Sequence, residues 1–285
     1  MSLPEQKQIE DWLTEAMQSI EQTEQDLKDG YYQKKNIPLQ SVYTDIASDY
    51  ASLARAKFFN GSSLDSVRRE FNTAAQCIKK SFSMAYEVRD PDYVGDKLPP
   101  EKTAFPPWNC VNWADVDETT GIDGFNFALM AANFDTARRL AHLFQDSGDG
   151  DLMPPCINRY AHALKHALLL EKEQGQALLK PTLNTFDTTP PKRDYKANYF
   201  NLSLTLSGIL SNDETQFNQG LVQILDYYKK VMIPAEDLWD TDEEFICDDA
   251  VALAILGLNY RLKVTVDNEL LPKQLLTDFP DESAI

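Results

Sequence analysis

The chain has 285 residues, 43% hydrophobic and 11% aromatic, enough to bury a core in one large domain or two small ones and too apolar for disorder. Its 45 acidic residues outweigh 27 basic ones, giving a net charge of −18, which repels nucleic acid and anionic lipid and attracts a basic partner. The charge is uneven: residues 1–100 and 101–231 each carry 16 acidic and 12 basic side chains, residues 232–285 carry 13 and 3, so the last fifth supplies −10 of the total.

Several classes fall away at once. The longest apolar runs, such as "VALAILGL" at 251–258, are far shorter than the roughly 20 residues of a membrane span. The start, "MSLPEQKQIEDW", lacks the basic and apolar stretches of a signal peptide, so a soluble cytoplasmic protein is expected. Cys77, Cys110, Cys156 and Cys247 are widely spread with no C-x-x-C pair, which predicts buried or half-buried thiols rather than a zinc ribbon or disulfides.

The pattern is helical nearly throughout. In "PEQKQIEDWLTEAMQSIEQTEQDLKDG", Ile9, Trp12, Leu13, Met17, Ile20 and Leu27 share a face and Gly30 is a stop. Residues 39–59 repeat the period with Val42, Ile46, Tyr50, Leu53 and Ala54, ending at "NG". The next helix starts at Ser63 as N-cap and carries Val67, Phe71, Ala74, Ala75, Ile78 and Phe82. Three long antiparallel helices over residues 1–86 are therefore expected.

Residues 87–121 hold five prolines and two tryptophans with no usable period, and predict a long loop or linker pinned by Trp108 and Trp113. Beyond it, over 122–285, helices shorten and a hairpin recurs. "LMAANFDTARRL", "LLEKEQGQALLK" and "ILSNDETQFNQG" align Leu129, Leu169 and Ile209, and Ala137, Ala177 and Phe217, at a spacing of 40 residues. A helical-hairpin repeat array and a plain antiparallel bundle both fit, and the two regions could form one continuous domain. "KVTV" reads as one short strand with nothing to pair with. The fold class is all-α.

Catalytic signatures are missing. There is no G-x-S-x-G, no P-loop and no G-x-G-x-x-G. His162 and His166 stand at i and i+4, the spacing of two metal ligands, but Ala163 occupies the place where a zincin carries its general base. A third ligand, whether His142 or an acid, is not placed. "DSGDGD" at 146–151 fits no register of a calcium loop. No cofactor and no metal are expected.

What remains is "PAEDLWDTDEEFICDD" at 234–249, with eight carboxylates and no cation. A solvated face, a partner-binding face and a carboxylate site are all open readings. Part of the charge serves the dipole of a helix expected to begin near Glu244. Charge density selects Glu236, Asp237, Asp240, Asp242, Glu243 and Glu244 as partner-binding residues, with Trp239 as an aromatic anchor among them.

The segments "YASLARAKFFNGSSLDSVRREFNTAAQCIKKSF", "GFNFALMAANFDTARRLAHL", "NYFNLSLTLSGILSNDETQFNQGLVQILDYYKK" and "AVALAILGLNYRLKVTVDNELLPKQLL" together resemble the immunity protein 49 family of bacterial toxin-immunity proteins. They span most of residues 50–276. The related all-helical immunity proteins of PoNe-type DNase toxins carry an aromatic "Y-P-x-D-L" where this chain has "LLPKQLL". The resemblance implies a non-enzymatic inhibitor of a cognate antibacterial effector delivered by a type VI or contact-dependent system. A basic, nuclease-type effector suits the charge. An α-helical adaptor for an internal protein is the alternative, and an α-helical metalloenzyme built on His162 and His166 a third.

Overall fold

The computed structural model describes residues 3–87, 116–145, 153–185, 194–236 and 238–277. Trp108, Trp113, Cys110, Asp237 and the acidic turn at 146–151 lie outside the described residues. The described residues form helices and turns and no strand.

The first helix, α1 (Gln6–Lys28), closes at Gly30, whose φ of 65° lies in the left-handed region glycine enters freely. Its buried stripe is Ile9, Trp12, Ala16 and Ile20. Met17, expected on that face, is 58% exposed, because the stripe follows i, i+3, i+4 through Ala16 instead. A short α2 (Tyr31–Lys35), not anticipated, leads into α3 (Leu39–Phe59). Then α4 (Leu64–Glu87) begins at Ser63, whose hydroxyl accepts from Ser66 N at 3.3 Å. α3 and α4 pack along their lengths, and α1 lies against α3.

The expected loop ends earlier than its composition suggests. α5 (Glu118–Met130) starts inside it, because the Asp117 carboxylate accepts from Thr120 N at 2.8 Å and caps the first turn. Three hairpins follow: α5 with α6 (Phe134–Leu143), α7 (Pro155–Leu168) with α8 (Lys172–Thr185), and α9 (Tyr195–Ser211) with α10 (Glu214–Tyr227). Each turns through one left-handed residue, Ala132, Leu170 and Asn212. Asn133 and Asp213 cap the returning helices by accepting from Thr136 N and Gln216 N.

Those turns correct the repeat's register. Counting from the left-handed residue, Leu129 and Ile209 match Ala167 rather than Leu169, and Ala137 and Phe217 match Gly175 rather than the exposed Ala177. All six matched positions are buried. The middle hairpin is offset by two residues, so the spacing alternates about 40 rather than repeating it.

After α10 the helix widens into a π-turn (Tyr228–Met232), passes through α11 (Ile233–Ala235), and reaches a 3-10 turn (Asp242–Phe245) and α12 (Asp248–Asn259). α12 is buried on all sides from Ala250 to Gly257 and packs against α5, α9 and α10. It starts four residues later than expected, since Asp242–Phe245 coil more tightly and Ile246 and Cys247 are extended. "KVTV", expected as a short strand, forms none; the Asn218 side chain holds its backbone instead, donating to Lys263 O at 2.9 Å and accepting from Thr265 N at 2.7 Å. One hydrophobic core runs from Ala47 through α12 to Leu275, so α3, α4 and the hairpins share an interior, while α1 packs on α3 through two smaller clusters around Ile20 and Trp12.

Candidate partner-binding face

The acidic segment is fastened to the fold from beneath by one cation. Arg55 on α3 is 4% exposed. Its Nε donates to Asp242 at 2.7 Å, its Nη1 to Asp248 at 2.6 Å and its Nη2 to Glu243 at 3.2 Å. A guanidinium is the one side chain whose planar fork serves three carboxylates at once. Burial disfavours its charge, but the three carboxylates outweigh that cost and hold it protonated.

The remaining acids divide between inside and outside. Glu244 is buried and accepts from Asp240 N at 2.8 Å, closing a turn in which Asp240 adopts φ 65°. Trp12 Nε1 donates to Asp240 O at 3.1 Å and Gln8 donates to the Asp240 carboxylate at 3.0 Å, so α1 clasps the same turn. Tyr228 secures the far side by donating to Glu243 O at 2.8 Å. Asp249 accepts from Asn126 at 2.8 Å. Of the residues selected from sequence, Asp242 and Glu244 face inward and are satisfied there. Glu236, Trp239, Asp240 and Glu243 face solvent, Trp239 at 50% exposure.

Sequence reasoning missed half of the surface. Between α1 and the acidic segment lies a groove of about 820 Å³, lined by Glu5, Asp11 and Glu15 from one side and Asp240, Asp242 and Glu244 from the other. Trp12 and Phe245 supply apolar walls, their rings 5.8 Å apart, and Leu3, 81% exposed, stands at the mouth. Among the described residues no basic side chain lines it. The signal was present: Glu5, Gln8, Asp11, Trp12 and Glu15 recur at helical spacing, but only the fold sets that face beside residue 240.

The histidines do not converge. His166 pairs with Glu171 at 2.6 Å, and the His162 ring packs on Phe144 with centroids 4.9 Å apart. Among the described residues no group of three metal-ligating side chains is placed to hold an ion, and no helix is long and apolar enough to cross a membrane. Cys77 and Cys156 are half-buried and Cys247 buried, and burial pushes all three thiols above their ordinary range, Cys77 to about 11.

The chain matches no protein-family model, no curated protein and no solved structure.

Proposed function

We propose that this protein is a non-enzymatic immunity protein that neutralises a basic, nuclease-type effector by occluding its active site. The observation that carries the reading is the groove. It is walled by carboxylates from two elements far apart in sequence, has no cation among the described residues of its lining, and has exposed Leu3 in that lining. Carboxylates in a fixed arrangement imitate the phosphates a nuclease binds, and exposed apolar side chains at the margin supply anchors. The Arg55 fastening supports the reading too, because a preordered surface loses little entropy on binding. The family resemblance points the same way.

The test is binding to the product of the adjacent gene, with four variants at exposed positions: Glu5→Gln, Asp11→Asn, Glu15→Gln and Asp240→Asn. A stoichiometric complex weakened at least tenfold by the combined changes is expected. A complex indifferent to them refutes this face. Several substoichiometric partners, or none, refute the inhibitor and favour the alternative reading, an α-helical adaptor, which the three successive hairpins from α5 to α10 support.

A further inference from the structure

The groove between α1 and the acidic segment is elongated, and its α1 wall is built to a period. From the N-cap Glu5, the side chains of Gln8, Asp11 and Glu15 line it, one polar group per helical turn over about 15 Å. Asp240 is the exposed acid of the opposite wall, where Asp242 and Glu244 are buried. Trp12 and half-buried Phe245 add an aromatic strip, and Phe59 backs Phe245 with ring centroids 5.8 Å apart. Arg55, the cation beneath the segment, is spent on Asp242, Glu243 and Asp248. No ion pair among the described residues reaches Asp11, Glu15 or Asp240.

The donors of the two walls are already committed. Gln8 Nε2 donates to the Asp240 carboxylate, Trp12 Nε1 to Asp240 O and Thr241 Oγ1 to Leu238 O. Backbone N–H groups of the second wall are spent as well: that of Asp240 on the Glu244 carboxylate, that of Thr241 on Leu238 O and that of Glu244 on Thr241 O. What the groove presents is acceptors. An extended peptide would set a carbonyl at every residue against them, and the described residues offer no strand edge to pair with it. A helix satisfies its own carbonyls and amides along its length, and meets the walls through side chains alone.

The lining also dictates the side chains of such a helix. A ridge that lies on Trp12 and Phe245 and covers Leu3, which is 81% exposed, must be apolar. Acids stand on both walls, so Lys or Arg must flank that ridge on both sides, their stems on the aromatic strip and their heads at the carboxylates. A bare metal ion does not answer to the groove, because no three ligating side chains among the described residues are placed to hold one. On the footing that this face binds the partner, we propose that the groove receives a basic amphipathic helix of that partner, about three turns long, with apolar residues at i, i+4 and i+7 and cations on either side.

The probes are three labelled alanine-based peptides of about 18 residues, long enough to hold a helix in water. One carries leucines at i, i+4, i+7 and i+11 with lysines on both sides of them. The second has the same composition with the leucines scattered around the helix, and the third keeps the first order but has a proline at its centre. Each is titrated with the full chain at physiological salt and read by fluorescence anisotropy. The first peptide is expected to bind one to one, at least tenfold tighter than the other two. The double variant Asp11→Asn, Glu15→Gln is expected to weaken it at least tenfold, and Asp135→Asn, Glu173→Gln, which removes the same charge from α6 and α8, to leave it unchanged. All four positions are exposed, so both variants keep the fold, which circular dichroism checks. Equal binding of the three peptides, no binding, or an equal loss in both variants overturns the helix. An effector complex weakened by the groove variants, with no peptide preferred, removes the helix and leaves the inhibitor in place. The helical peptide bound through Asp11 and Glu15, with no effector complex formed, does the reverse.

Discussion

At the scale of single residues, charge burial is the governing cost. Arg55 offsets three carboxylates, two of them largely withdrawn from water. Removing one partner of a buried ionic group costs about 3–5 kcal/mol, because the others are left uncompensated. Arg55→Met is expected to lose stability in that range, read as a lowered urea midpoint, and an unchanged midpoint contradicts it. Asp248 obeys the opposite sign. Loss of hydration raises its carboxyl to about 6 against the pull of Arg55. The folded chain therefore holds a proton that the unfolded chain releases near pH 4. That contribution to stability is complete below the ordinary carboxylate value and is lost as pH rises through 6. Asp248→Asn is expected to flatten the decline in urea midpoint between pH 4.5 and 6.5, and an unaltered slope contradicts it.

At the scale of elements, small residues set how closely helices meet. A Cβ on Gly208 would lie 2.8 Å from Phe217 Cα, and one on Gly220 would lie 2.8 Å from Thr205 Cα. Both atoms are backbone, so the α9–α10 hairpin must open to admit a methyl group. Gly208→Ala is expected to destabilise by about 1–3 kcal/mol despite the better helix propensity of alanine, measured as a lowered urea midpoint. Elements were the most legible level of the sequence. The bounds 39–59 were read correctly because period, proline and the "NG" stop agree there. The 3-10 turn at Asp242–Phe245 was not, since its shape answers to Arg55, nearly two hundred positions earlier. The repeat was seen but misregistered, because alignment by letter matched Ala177, which faces water, where packing requires Gly175. The groove was half legible: charge density marked one wall, and nothing local linked it to α1.

At the scale of the molecule, a net charge of −18 acts beyond any contact. If the groove receives a basic effector, the field steers the encounter, and steering falls as salt shortens the Debye length from about 30 Å at 0.01 M to about 8 Å at 0.15 M. The association rate is therefore expected to drop at least tenfold over that range in stopped-flow mixing, with dissociation changing much less. A rate insensitive to salt would place recognition in apolar contacts instead.

The Arg55 fastening also has a consequence in time. Its three partners lie 187, 188 and 193 positions further along the chain. On a ribosome the guanidinium therefore emerges long before the carboxylates that justify its burial. A nascent chain cannot close the seam between α3 and the acidic segment until Asp248 has been made. Chains broken off before Asp242 would leave Arg55 without any of these three partners. The same salt bridges that order the surface thus make its order wait on synthesis far downstream.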